Sequence, residues 1–226
     1  FTGYGWRTNF NQRVYPFTQD TSYYIWEDGD GTRHYLKYKS SGTYEDELIP
    51  GLILTTTGSG ETKYCLTDKS GNKSYFTDGG YLVQISNNQA TASNISVSYD
   101  GVKLYRVRDG IGRTYIFSYN TDGYLSKIAF LGTGTTELAA ETFTYSGGNL
   151  VSIQSALSGA ATFGYTSNHL LSTATDAQGY QVRYTYNTGG ANQPNRVTGV
   201  AEYHNDTAGG TLAIEYAHNQ TVFQDH

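Results

Sequence analysis

The feature that most constrains this chain is a unit that recurs from residue 94 onward. A short alternating strand ends in tyrosine, and a turn rich in Gly, Asn or Asp follows. A second strand then starts with Leu or Val and places another apolar residue three positions later. In the clearest copy, Tyr115, Phe117 and Tyr119 alternate with Ile116 and Ser118; Asn120-Thr121-Asp122-Gly123 turns the chain, and Leu125 and Ile128 follow. The other copies end their first strands at Tyr99, Tyr145, Tyr165 and Tyr186, and return through Leu104, Leu150, Leu170-Leu171 and Val197. Gly101, Gly147-Gly148, Asn168 and Gly189-Gly190 punctuate their turns, where positive φ costs Gly and Asn least. The alternation is that of a sheet with one buried and one solvated face. A spacing of about twenty residues accommodates two strands and two turns, so the unit is a β-hairpin repeated in series.

Composition agrees with a β fold. The 226 residues include 22 Tyr and 27 Gly but only 3 Pro and no Met, and aromatic rings favour a pleated, half-buried surface. Charged residues make up only 15%, and Thr, Ser, Asn and Gln carry the polar role. The formal net charge of -5 argues against nucleic acid as a partner, because such binding needs phosphate neutralisation. Lys103, Arg106, Arg108 and Arg113 do cluster, but Asp100 and Asp109 interleave with them as on a solvated face. With Cys65 as the only cysteine, no intrachain disulfide or thiolate metal site is available. No apolar run approaches the ~18 residues of a membrane helix.

Residues 1–93 are β-rich but less regular, and the polar stretch from Asn87 to Asn94 is the expected boundary with the repeats at 94–226. Tyr64 to Asn87 reads as a degenerate repeat, with turns at Asp68–Gly71 and Asp78–Gly80 and a return through Leu82 and Ile85. Thr135 to Glu141 reads as a widened hairpin loop rather than a helix.

Motifs for chemistry are weak. Asp28-Gly29-Asp30-Gly31 starts like a calcium loop, but Lys37 and Lys39 stand near the place of the closing carboxylate, so a hairpin turn is expected. His34, His169, His204, His218 and His226 lack metal-ligand spacing. Glu45-Asp46-Glu47 suggests a solvated edge, and no nucleophile elbow, P-loop or dinucleotide fingerprint is present. We therefore expect no catalytic residue, no metal and no cofactor. The repeat tyrosines share a strand face with Ile95, Phe117, Val182 and Ile214, which favours core over ligand platform. For Trp6 and Trp26, core and sugar-stacking platform remain open alternatives.

Asp109-Gly110-Ile111-Gly112-Arg113, Phe117-Ser118-Tyr119-Asn120 and Asp122-Gly123-Tyr124-Leu125-Ser126-Lys127-Ile128 together resemble the YD repeat of RHS-type proteins. Tyr99-Asp100 supplies the Tyr-Asp pair of that name. Asp176-Ala177-Gln178-Gly179 with Tyr184-Thr185-Tyr186-Asn187 and Arg196-Val197 is similar to a second copy. The earlier part, with Gly5-Trp6, Trp26, Asp28 to Tyr35 and Leu66 to Lys69, resembles the segment preceding the repeats in bacterial RHS and wall-associated proteins. The resemblance implies a sheet that spirals into a β-shell, in secreted or cell-surface bacterial proteins of the polymorphic-toxin kind, enclosing a C-terminal effector domain.

The expected fold is all-β: antiparallel hairpin repeats forming a strongly curved, spiralling sheet, an open part of such a shell. The repeat positions expected to carry it are Tyr99, Tyr119, Gly123, Leu125, Tyr145, Gly148, Leu150, Tyr165 and Tyr186. The expected role is a scaffold segment of a larger secreted or cell-wall protein, not an enzyme. Its partner is the remainder of the same polypeptide, and an unpaired sheet edge is expected from Tyr216 to His226. The rival reading is a glycan-binding or adhesion module using exposed Trp6 or Trp26.

Overall fold

Short alternating segments, each ended by a turn residue, yield nineteen strands and no helix among the described residues. The computed structural model describes residues 3–57, 60–88, 94–187, 195–204 and 211–217, with 204 and 211–217 described by their backbone alone. The chain divides into two compact units, residues 1–140 and 141–226.

In the first unit the strands are β1 (Arg13–Pro16), β2 (Tyr23–Glu27), β3 (Arg33–Ser40), β4 (Thr43–Asp46), β5 (Ile53–Thr56) and β6 (Tyr64–Thr67). They continue as β7 (Lys73–Phe76), β8 (Leu82–Ser86), β9 (Ile95–Asp100), β10 (Lys103–Arg108), β11 (Thr114–Tyr119) and β12 (Leu125–Gly132). The second unit holds β13 (Ala139–Ser146, begun two residues earlier), β14 (Asn149–Ser155), β15 (Gly159–Tyr165) and β16 (Leu171–Thr175). It ends with β17 (Gln181–Tyr186), β18 (Val197–His204) and β19 (Thr211–Ala217). Within each unit successive strands pair antiparallel as a meander. The loop at 133–138 contains no helix, and residues 139–141 already belong to β13.

The segment 87–94 marks a change of texture, not a break in pairing. Gln84 and Ile85 of β8 face Ser96 and Ile95 of β9 on its far side, and the compact units divide at Ala140–Glu141 instead. Of the expected free edge from Tyr216 to His226, Tyr216 and Ala217 close β19, and residues 218–226 lie outside the described residues, as does the turn at Gly189-Gly190.

The first unit rolls up. Tyr24 on β2 lies 4.7 Å from the Tyr44 ring on β4 and 5.4 Å from the Tyr64 ring on β6. In a flat sheet four strand spacings would separate β2 from β6 by roughly 19 Å. The curl brings β1 against the β7–β8 turn, where Arg13 bridges Tyr81 and the Val14 amide donates to the Gly80 carbonyl at 3.0 Å. Gly80 has φ +76, and a Cβ there would lie 1.9 Å from the Val14 carbonyl oxygen, so only glycine permits this approach. The roll buries Val14, Leu36, Leu54, Phe76 and Leu82 almost completely.

One irregularity recurs at the same place in six hairpins, from β7–β8 to β17–β18. Tyr119 faces Leu125 while Ser118 faces Lys127, which leaves Ser126 as an extra residue, a β-bulge. Tyr99 faces Leu104 with Tyr105 extra, Tyr145 faces Leu150 with Val151 extra, and Tyr165 faces Leu171 with Ser172 extra. Tyr186 against Val197 and Phe76 against Leu82 repeat the arrangement. The bulge explains the apolar spacing of three that a regular strand could not use. It returns Val107 to face Val97, Ile128 to face Phe117 and Ile153 to face Phe143.

Candidate functional site

Two places in the molecule gather the residues singled out by sequence: the joints between hairpins, and a hollow at one end of the rolled β1–β8 sheet.

At the joints, Tyr119 donates its hydroxyl to the Leu104 carbonyl at 2.8 Å. Tyr165 does the same to Leu150 and Tyr186 to Leu171, both at 2.6 Å. All three bonds span 15 residues. Each acceptor is the residue that opens the bulge of the preceding hairpin, where the strand ladder is interrupted. The tyrosine thus packs its ring on the apolar face and ties its hydroxyl to the backbone one hairpin back. Burial pushes the Tyr119 phenol up to about 12. Burial, then neighbouring Tyr184, raises Tyr186; burial, then Tyr119 and Tyr81, raises Tyr99. Tyr99 reaches the Phe10 carbonyl at 3.4 Å instead, and the position before it in the series is Phe76, which has no hydroxyl. Tyr145 holds the same register position, facing Leu150.

The remaining repeat positions are turn and core residues. Leu125 and Leu150 are buried. Gly123 takes φ +84 in a five-residue turn, in which its amide donates to Asn120 and the Asn120 amide donates to Tyr124. Asp28, Asp68, Asp109 and Asp176 start turns of the same kind, closed by Gly31, Gly71, Gly112 and Gly179. In each, a carboxylate oxygen accepts backbone amides two and four residues on. His169 takes the glycine position in the turn begun by Thr166, at φ 62. Gly148, with Gly147, forms the tight β13–β14 turn, both at positive φ.

Neither tryptophan is exposed; both are half-buried. Trp6 flanks a groove of about 350 Å³ with Arg13, Gln12, Tyr81 and Tyr99. Trp26 stacks on His34 with ring centroids 4.6 Å apart, and its Nε1 donates to Gln12 Oε1 at 3.3 Å. It lines a hollow of about 440 Å³ together with Leu52, Leu66, Ile85, Asp68, Asn72 and Ser74.

Charges beside Trp26 are mutually satisfied. His34 Nε2 lies 3.1 Å from Asp28 Oδ2, and its Nδ1 lies 3.6 Å from Asp46 Oδ2. The acidic run therefore departs from a solvated edge at its centre. Asp46 is 5% exposed, because its Oδ1 accepts the Leu48 and Ile49 amides at 2.7 and 2.9 Å. Burial acts to raise the Glu27 carboxyl, but Arg7 at 2.6 Å and Arg33 outweigh it and hold the group below the usual range. The basic cluster is partly occupied as well: Arg113 closes on Asp109 at 2.6 Å, and Lys103 Nζ sits over the Tyr119 ring. Among the described residues no three His, Cys, Asp or Glu side chains are grouped to hold a metal ion, and no helix is long and apolar enough to cross a membrane. The side chains of His204, His218 and His226 lie outside the described residues.

Sequence reasoning missed the Leu carbonyls as acceptors, although the apolar spacing of three was a visible trace of the bulge that presents them. The hollow had no local signal, because its walls come from strands far apart in the chain.

Fold and joints together define an all-β protein of serial hairpins tied by tyrosine hydroxyls. No family model matches the chain, and no curated protein matches it. Among solved structures it is similar to a porin-like protein from Bacteroides uniformis ATCC 8492, at 15% identity and a TM-score of 0.39, over 93% of this chain and 95% of that one.

Proposed function

We propose that this chain is a structural scaffold: a run of RHS/YD-type hairpins from a large secreted or cell-surface bacterial protein, whose complete β-shell encloses a C-terminal effector domain. The observation that carries the reading is the joint itself. One bond, from tyrosine hydroxyl to leucine carbonyl across 15 residues, recurs in both compact units. Such a bond ties each hairpin only to its predecessor. A chain built this way gains stability by nearest-neighbour addition and can be lengthened without redesign. Aromatic and leucine side chains at the joints serve packing, and the charged clusters near Trp26 pair internally, which leaves little for catalysis to use.

The test is extension. Duplicating residues 146–186 in frame, which sets Tyr186 in the place of Tyr145 before the Gly147-Gly148 turn and adds the four strands β14–β17, should give a longer, monomeric all-β protein, with a larger radius by small-angle scattering and a midpoint of unfolding equal to or above that of the parent. A duplicate that aggregates or melts well below the parent would overturn the scaffold reading. For the encapsulation part, limited proteolysis of the uninterrupted parent polypeptide should leave the domain C-terminal to the repeats protected until the repeats are cut.

A further inference from the structure

We propose that the hollow walled by Trp26 is a binding site for one ring of a neutral saccharide. The hollow lies at an end of the rolled β1–β8 sheet, a position comparable to the mouth of a barrel, where small-molecule sites commonly occur. Its volume of about 440 Å³ falls within the usual range for such sites, roughly 300–1,000 Å³.

Its chemistry is divided in the way a sugar ring is divided. Leu52, Leu66, Ile85 and the Trp26 indole line the hollow with apolar surface for C–H groups. Asp68, Asn72 and Ser74 add a carboxylate, a carboxamide and a hydroxyl to the lining; Asn72 Nδ2 donates to Asp68 Oδ2 at 2.8 Å and Asn72 Oδ1 accepts the Asn88 amide at 3.3 Å, which leaves the second carboxamide hydrogen, further carboxylate lone pairs and the Ser74 hydroxyl for ring hydroxyls. No lysine, arginine or histidine lines the hollow, and Asp68 is its single ionised group. The Asn72 side chain and the turn amides hold that carboxyl below the usual range, so it stays an acceptor that repels anions. A neutral ligand rich in hydroxyl donors fits this field, whereas a carboxylated one does not.

The wall is also preorganised. Gln12 holds the indole N–H and His34 covers part of the ring, so binding need not order a free side chain. This assignment stands independently of the scaffold role: the joints that define the scaffold are elsewhere, and failure of either leaves the other intact.

The experiment uses the full chain with Trp6→Phe, so that indole emission reports Trp26 alone. Methyl β-glucoside, galactose, mannose, N-acetylglucosamine and cellobiose are titrated, with glucuronate and decanol as anionic and apolar controls. The expected result is saturable change with at least one neutral sugar, with a dissociation constant near ~1 mM, a modest free energy of about −4 kcal/mol. Ser74→Leu, which fills the hollow from β7, should weaken it at least about tenfold while circular dichroism and melting stay as in the parent. Ser86→Leu from β8 serves the same purpose if Ser74→Leu melts early. No saturable change with any neutral sugar overturns the proposal. So does binding undiminished in a folded hollow-filling variant, or saturation by glucuronate or decanol in preference to the sugars.

Discussion

The two compact units are made of the same hairpin yet bury very different interiors. Among the described residues, every nearly inaccessible apolar side chain except Leu150 belongs to residues 1–140. The second unit keeps the alternation, with Phe143, Ile153, Phe163 and Val182 on one face, but these remain half-buried. Two physical differences account for this. The first unit rolls, so that side chains from non-adjacent strands meet, as Tyr24, Tyr44 and Tyr64 do. The second unit places Ala161 and Ala174 on the face where the first has Leu54, Leu66 and Phe76. A hollow of about 330 Å³ lined by Ala161, Phe163, Ala174 and Val182 remains there. The same joint therefore serves a filled interior in one unit and an open apolar face in the other.

Truncation of the core should separate the units most strongly. Phe76→Ala should cost about 3–5 kcal/mol in urea unfolding and Leu36→Ala about 2–5. Phe163→Ala should cost less than half as much as Phe76→Ala; equal costs would break the comparison.

Backbone approach comes next. Gly80→Ala drives a Cβ into the Val14 carbonyl and should destabilise by about 3 kcal/mol or more, releasing β1 with loss of its amide protection in hydrogen exchange. Gly147→Ala, with positive φ but no atom within 4 Å of its Cβ, should cost only about 1–2 kcal/mol.

Removing single joints tests what the units share. Tyr119→Phe, Tyr165→Phe and Tyr186→Phe should each cost about 1 kcal/mol. In the second unit, where less apolar burial backs the joint, the loss should spread to faster exchange in the neighbouring hairpin.

Alkaline pH acts on the same positions. Tyr24, Tyr99, Tyr119 and Tyr186 titrate above the ordinary tyrosine value in the folded chain, chiefly through burial. A raised folded value means that the stabilisation is complete below about pH 10, the unfolded value, and is lost as pH climbs from there through the higher folded values. Melting temperature should therefore hold at neutral pH and fall from about pH 10 upward, with Tyr119→Phe showing a smaller fall than the parent.

The smallest effect expected is a gain. His169 occupies a left-handed position that glycine fills in the related turns, so His169→Gly should stabilise by about 0.5 kcal/mol, after loss of its contact with Asn149 at 3.0 Å. A loss of stability would show that this contact outweighs the backbone strain.

Much of this architecture was legible in the chain. Period-2 alternation marked the strands, and the Asp-x-x-Gly and Gly-Gly runs marked the turns, because both depend on local backbone geometry. Asp46 departs from the solvated edge that Glu45 and Glu47 suggest, because only the fold turns its carboxylate toward the Leu48 and Ile49 amides. The local sequence does not choose between core and platform for Trp26, because its environment is assembled from strands far apart in the chain.

By itself, then, the sequence determined that this protein is a series of antiparallel hairpins with tyrosine closing one strand and leucine opening the next, since those choices rest on short-range sterics and on alternation. Only the tertiary structure decided that the residue after that leucine is a bulge, that the hydroxyls of Tyr119, Tyr165 and Tyr186 reach one hairpin back, and that the first strands roll around a filled core. The reason is physical: a bulge, a long-range hydrogen bond and a curl each depend on the partner strand, and a single strand's pattern does not contain its partner.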